Sequence, residues 1–152
     1  MKWFLTICLC GWWLSLLART YEEGAVAAVL MGEARSDGVP GMTAVGEVIH
    51  QRTMEKGQTP LQIVAACRGH VHSFSCLNGT TLDRLIQKYR RQPSFQQALQ
   101  ISRAVCEAPH RLPGLAKGAT HFTRASKSPF WANGEQPVAT IGRHAFYRLK
   151  HY

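Results

Sequence analysis

An apolar run, Ala25 to Leu30, ends within one helical turn of a carboxylate, Glu33. A helix over Glu22 to Arg35 places Val26, Val29, Leu30 and Glu33 at i, i+3, i+4 and i+7, on one face. That face turns toward a core, and a carboxylate at its edge is costly unless the fold has a use for it. Partial desolvation disfavours the charged form and raises the pKa. A raised carboxyl is what a proton donor near neutral pH requires. The plainer reading is a helix-end Glu that reaches solvent and pairs with Arg35.

With 152 residues there is room for one domain, and the first stretch is expected to lie outside it. Met1 and Lys2 give a short positive start, and Trp3 to Leu17 are apolar except for Thr6, Gly11 and Ser15. Such a segment is short for a membrane span and suits an export signal. Residues 1–18 therefore read as a cleavable export signal or an uncleaved N-terminal anchor, and residues 19–152 as the domain. Cleavage after Ala18 is weakly specified, because Leu16 is larger than the residue usually preferred there. The expected location is periplasmic or extracellular, at the cell wall.

The domain, roughly 130 residues, can bury a sizeable single core. The chain carries 18 Lys and Arg against 9 Asp and Glu, a formal charge of +9. An exported basic protein is drawn to polyanions. No nucleic-acid motif accompanies the charge, so the expected partner is an anionic cell envelope and not nucleic acid. Lys88, Arg90 and Arg91 around Tyr89 read as a solvated helix face or a wall-attracting patch. Of five cysteines, Cys67, Cys76 and Cys106 belong to the domain. Outside the cytoplasm this count suggests one disulfide, with Cys67–Cys76 as the first expectation, and one leftover thiol.

There is no repeat and no interdomain linker. The first helix should stop at Ser36-Asp37-Gly38, and a second should run from about Met42 to Thr53. Thr59-Pro60-Leu61-Gln62 is a helix start with a capping box, and that helix should end near Arg68-Gly69. A loop over His70 to Thr80 precedes a helix outlined by Leu82, Leu85, Ile86 and Tyr89. Ser94 to Gln97 reads as a second capping box opening a helix through Val105. Ala119 to Thr123 then reads as a strand. Val138–Ile141, Gly142-Arg143 and His144–Leu149 read as a hairpin with a two-residue turn. Helices first and a small antiparallel sheet last predict an α+β fold.

Among the acidic residues only Glu33 combines an apolar face with a helix end. Glu22, Glu23 and Asp83 begin helices, and Glu47 is mid-helix but off the apolar stripe. Two-carboxylate glycoside chemistry needs a second acid at a defined distance. Asp37 is the nearest in sequence, and a glycine-rich turn is expected to hold it poorly, so single-carboxylate chemistry is favoured. Cys67, His70, His72 and Cys76 lack the tight pairs of a zinc site, so no metal and no cofactor is expected. A Cys–His hydrolase with Cys76 as nucleophile and His121 as base is the rival chemistry, which a Cys76 disulfide would abolish.

Gly32-Glu33-Ala34-Arg35, then Gly41 to Arg52 and Phe74-Ser75-Cys76, resemble the spore-cortex-lytic and cell-wall hydrolase family. The likeness continues through Gly118-Ala119-Thr120-His121-Phe122, Pro129-Phe130-Trp131-Ala132 and Ile141 to Arg148, so it covers about residues 21–149. The order and separation of these motifs make the set specific. Two positions depart from the usual pattern: Met31 where an aromatic is common, and Gln51 where Asn is. The resemblance implies a lysozyme-like helical lobe with a small C-terminal antiparallel sheet. It also implies an enzyme acting on peptidoglycan glycan strands, and a monomer is expected. It assigns Glu33 as the general acid of a lytic transglycosylase that cuts between N-acetylmuramic acid and N-acetylglucosamine. For the sugar groove the residues nominated are Phe74, Ser75, Thr120, His121, Trp131 and Tyr147, with core packing as the plainer role of the three aromatics. Arg52 and Arg148 are expected to support Glu33 or the fold. An amidase or Cys–His peptidase acting on wall peptides, and a non-catalytic wall-binding protein, are the alternatives.

Overall fold

The computed structural model describes residues 3–149, with side chains from residue 17 onward. The apolar run lies in α1 (Trp3–Ala34), a helix that passes unbroken through position 18. Its core contact is wider than one face. Every residue from Ala25 to Met31 is fully buried, because α1 packs against α2 (Gly38–Lys56), α3 (Pro60–Ala65), α4 (Leu82–Tyr89) and α5 (Ser94–Glu107). A helix enclosed in this way must be apolar all round, and Ala25, Ala27 and Ala28 keep it slim enough to be surrounded. Among the described residues no helix is long and apolar enough to cross a membrane.

Most helix boundaries follow the local chemistry. α3 opens with the expected capping box: the Gln62 N–H donates to Thr59 Oγ1 at 3.2 Å, and the Thr59 N–H donates to Gln62 Oε1 at 2.9 Å. It ends earlier than expected, at Ala65, because β1 (Cys67–Arg68) turns back to pair antiparallel with β2 (Val71–His72). The capping box expected at Ser94–Gln97 does not form. Pro93 already holds helical angles, φ −55° and ψ −40°, and takes the cap position without a side-chain bond. Ser94 is thereby drawn into the helix itself.

The expected Cys67–Cys76 disulfide is also absent; both residues and Cys106 are free thiols. The Cys67 thiol donates to the Gly69 carbonyl at 3.0 Å, on the exposed β1–β2 turn. Cys76 instead packs against α1, where a Cβ built on Gly32 would lie 2.6 Å from the Cys76 Cβ. The two sulfurs serve different layers.

After α5 the chain forms the small sheet, in the order β3 (His121–Arg124), β5 (His144–Tyr147), β4 (Ala139–Ile141), all antiparallel. The architecture is α+β, a helical lobe with a C-terminal antiparallel sheet, and the β4–β5 hairpin turns at Gly142-Arg143 as the sequence predicts. Register sets which side chains share a face, since Phe122 pairs with Phe146 and His121 with Tyr147. Phe122 and Phe146 join the main core with the helices. Ala145 and Tyr147 point the other way, onto Trp131 and Ala132 of the Phe130–Ala132 turn.

Helices and sheet are joined at Asp37. The glycine-rich turn holds this carboxylate firmly, contrary to expectation, with its side chain only 3% exposed. Asp37 Oδ1 accepts from the Arg143 backbone N–H at 3.2 Å and from Arg143 Nε at 3.3 Å, and Oδ2 meets His144 Nδ1 at 2.6 Å. Arg143 also donates to Ser36 Oγ. The close fit depends on Gly142, whose φ of +55° suits glycine and whose added Cβ would fall 2.5 Å from Asp37 Cγ. Gly57 has a similar φ of +61° with nothing within 4 Å. Gly57→Ala should therefore cost only the backbone strain, about 1–2 kcal/mol. Gly142→Ala should cost at least twice as much by thermal or urea unfolding. Equal losses at the two positions would show that Asp37 is not tightly packed there.

Candidate active site

Between α1 and the sheet lies a cleft of about 340 Å³. α1 contributes Gly32 and Glu33, the segment after β2 Ser73 and Ser75, and α2 Arg52. The sheet side contributes Phe122, Thr123, Arg124 and His144, and the turn after β3 adds Lys127. Glu33 is the only carboxylate lining it among the described residues.

Glu33 is half-buried at the last turn of α1. The Cys76 backbone N–H donates to its Oε1 at 2.8 Å, and the Ser75 hydroxyl lies 3.2 and 3.3 Å from its two oxygens. Gly32 permits this arrangement: with no side chain there, the Ser75–Leu77 turn closes directly onto α1 and brings the Cys76 N–H to the carboxylate. The anticipated Glu33–Arg35 pairing gives way to another contact, since Arg35 reaches Gln92 Oε1 at 3.4 Å and lies over the Tyr89 ring.

On the opposite side His144 lines the same cleft, held from behind by Asp37. A carboxylate on Nδ1 assigns the proton to that nitrogen and leaves Nε2 as the second functional atom of the ring. Burial pushes the Asp37 carboxyl up, but hydrogen bonds from His144 and from the Arg143 backbone, with the His144 charge, outweigh it and leave the carboxyl below its usual value. The stability it contributes is present above the unfolded value of 3.8 and is lost as pH falls through the lower folded one.

A comparison with protein-family models matches residues 36–147 to the Cell Wall Hydrolase family. The chain belongs to that family. Membership supports peptidoglycan hydrolysis in general terms, and an extracellular or cell-wall location with it. No curated protein and no solved structure matches the chain. The matched segment of this wall hydrolase holds Asp37, Ser75 and His144, and Glu33 lies three residues before it.

The nominated residues fall in three places. Glu33 and Ser75 meet in the cleft. Phe74 is 1% exposed and belongs to the core, where the Arg52 guanidinium lies over its ring at 5.2 Å. Thr120 is fully buried; its carbonyl accepts from Arg52 Nε at 2.7 Å and its hydroxyl accepts from the Leu149 N–H at 3.2 Å. His121, Trp131 and Tyr147 form an aromatic group on the outer sheet face, with centroid separations of 5.2 and 5.3 Å. The β-strand period explains the split, since His121 and Phe122 are sequence neighbours and point to opposite faces. Arg52 acts as a tie between α2 and Thr120, the residue just before β3, and Arg148 lies beside Gly118. Phe122, Thr123, Arg124, Lys127 and His144 line the cleft without having been nominated; for His144 the signal was its place directly after the hairpin turn.

Cys76 is poorly suited to nucleophilic chemistry. Burial and the adjacent Glu33 charge push its thiol well above the ordinary range, and the reactive species is the thiolate. Among the described residues Cys67, His70, His72 and Cys76 do not assemble into a metal-holding group.

His121 is pushed down to about 4, first by burial and then by the positive charges of Arg52 and Lys56. A histidine depressed in the folded state binds fewer protons than in the unfolded chain between about 4 and 6.5. Stability should therefore rise with pH across that window, and His121→Gln should flatten the slope. Titration followed by NMR should place the His121 midpoint near 4; a midpoint near 6.5 would mean that the ring is solvated and uncoupled from Arg52.

Proposed function

We propose that this wall hydrolase is an exported, monomeric lytic transglycosylase that cuts the bond between N-acetylmuramic acid and N-acetylglucosamine with Glu33 as its single general acid. The observation that carries this reading is the carboxylate of Glu33, the only one lining the cleft among the described residues, fixed by the Cys76 N–H and flanked by the Ser75 hydroxyl. Glycosidases that deliver water through a second carboxylate need that second group in the cleft. Here Asp37 is occupied behind His144 instead.

In the first part of the reaction Glu33 gives its proton to the glycosidic oxygen, and the departing N-acetylglucosamine takes that oxygen as a free hydroxyl. The C6 hydroxyl oxygen of the muramyl residue then bonds to its own anomeric carbon, closing a 1,6-anhydro ring. The proton released from that hydroxyl returns to the Glu33 carboxylate, so the acid is regenerated without net consumption of water. Ser75 and the Cys76 N–H hold the carboxylate in place through both transfers. Positioned proton transfer of this kind contributes about 10²–10⁴ in rate. The remainder comes from positioning and stabilisation of the oxocarbenium-like state.

The test is digestion of purified peptidoglycan with product analysis by mass spectrometry. Anhydro-ended muropeptides are expected from the wild type, with turnover reduced at least about 100-fold in Glu33→Gln. Reducing ends would instead make the protein a water-using muramidase. Released stem peptides with intact glycan would point to an amidase or peptidase, and binding without cleavage to a wall-binding protein. Cys76→Ala separates the Cys–His alternative: activity should survive it, because Glu33 is held by the backbone N–H at that position and not by the thiol.

A further inference from the structure

The cleft carries more positive charge than a neutral sugar chain needs. Arg52, Arg124 and Lys127 stand against Glu33 alone. Arg52 is engaged with the Thr120 carbonyl and the Phe74 ring. Arg124 and Lys127 are exposed, and no carboxylate meets either one among the described residues. They contrast with Arg143 at the same end of the sheet, which is neutralised by Asp37.

Their placement is fixed by the backbone. Arg124 closes β3 opposite His144. The next residue, Ala125, donates its N–H to the Arg143 carbonyl at 2.8 Å, and the Lys127 N–H donates to the Arg124 carbonyl at 2.9 Å. A tight turn thus presents two cations at the rim of the cleft across from Glu33. Guanidinium and ammonium groups in such a position recognise a carboxylate, the guanidinium with two parallel donors.

We propose that Arg124 and Lys127 form a carboxylate-binding subsite that selects glycan by the anionic group carried on its muramyl residues. This inference rests on the wall-cleaving reading of the cleft and names the substrate feature that reading leaves open. Two sources supply the chemistry: the lactyl carboxylate of a muramyl residue without its peptide, and the carboxylates of an intact peptide stem. An N-acetylglucosamine polymer has neither.

Binding is measured in the Glu33→Gln background, so that cleavage does not consume the ligand. That protein and its R124Q/K127Q derivative are co-sedimented with sacculi free of phosphate polymers, in three forms: stems intact, stems removed by an amidase, and all carboxylates capped as amides. The derivative should bind about tenfold more weakly to at least one uncapped form, with a shallower salt dependence. Loss on intact sacculi alone assigns the stem, and loss on stripped sacculi assigns the lactyl group. Capping should bring the two proteins together. Equal binding of both proteins to every form, or a difference that survives capping, would overturn the subsite. Unchanged thermal unfolding of the derivative excludes misfolding as the cause. A wild type that leaves the glycan uncut would defeat the transglycosylase reading while leaving carboxylate-dependent binding intact, so the two failures are distinguishable.

Discussion

The buried contact between Asp37 and the β4–β5 hairpin is the constraint on which the rest of this structure depends. The cleft has one side on α1 and the other on the sheet, and its width is set by how the sheet is seated against the helices. Asp37 closes that distance at one end, with Arg143 and His144 as its partners and glycines at 41 and 142 leaving no room for slack. Removing one member of such a buried pair costs more than the pair contributes, because a desolvated charge is left behind. The same contact orients His144, so fold and site share one carboxylate.

Glu33 owes its setting to a different kind of closeness. The last turn of α1 lacks a side chain at Gly32, and the Ser75–Leu77 turn fills that space with Cys76. Backbone geometry, more than any charged neighbour, therefore decides where the acid points. A backbone N–H also cannot be removed by most substitutions, which makes this support robust to sequence change at position 76.

How much was legible in the sequence follows from the range of the interactions involved. Local signals worked: the Thr59 capping box, the helix over Leu82–Tyr89 and the hairpin turn at Gly142-Arg143 are written in neighbouring residues. An acid beside an apolar run and a motif point to Glu33 and Ser75, and these two side chains do meet in one cleft. What failed depended on distant partners. Asp37 looked loosely held because its anchors lie more than 100 positions away, at residues 143 and 144. The disulfide expectation counted cysteines without knowing that Gly32 would draw Cys76 onto α1. Of the aromatic residues read as sugar platforms, strand alternation sends His121 and Tyr147 to the outer face, and it is Phe122 that lines the cleft. Phe74 became the seat of a guanidinium.

The complete enclosure of α1 from Ala25 to Met31 makes the two sides of the cleft unequal in their freedom to vary. From Ala25 to Met31 a larger residue has nowhere to go, and at Gly32 even a methyl group would collide with Cys76. The opposite rim is an exposed turn whose side chains at 124 and 127 can be exchanged without repacking anything. Descendants of this chain would thus inherit an almost frozen carboxylate beside an editable rim. Charge at that rim can drift while the Glu33 side of the cleft stays as it is.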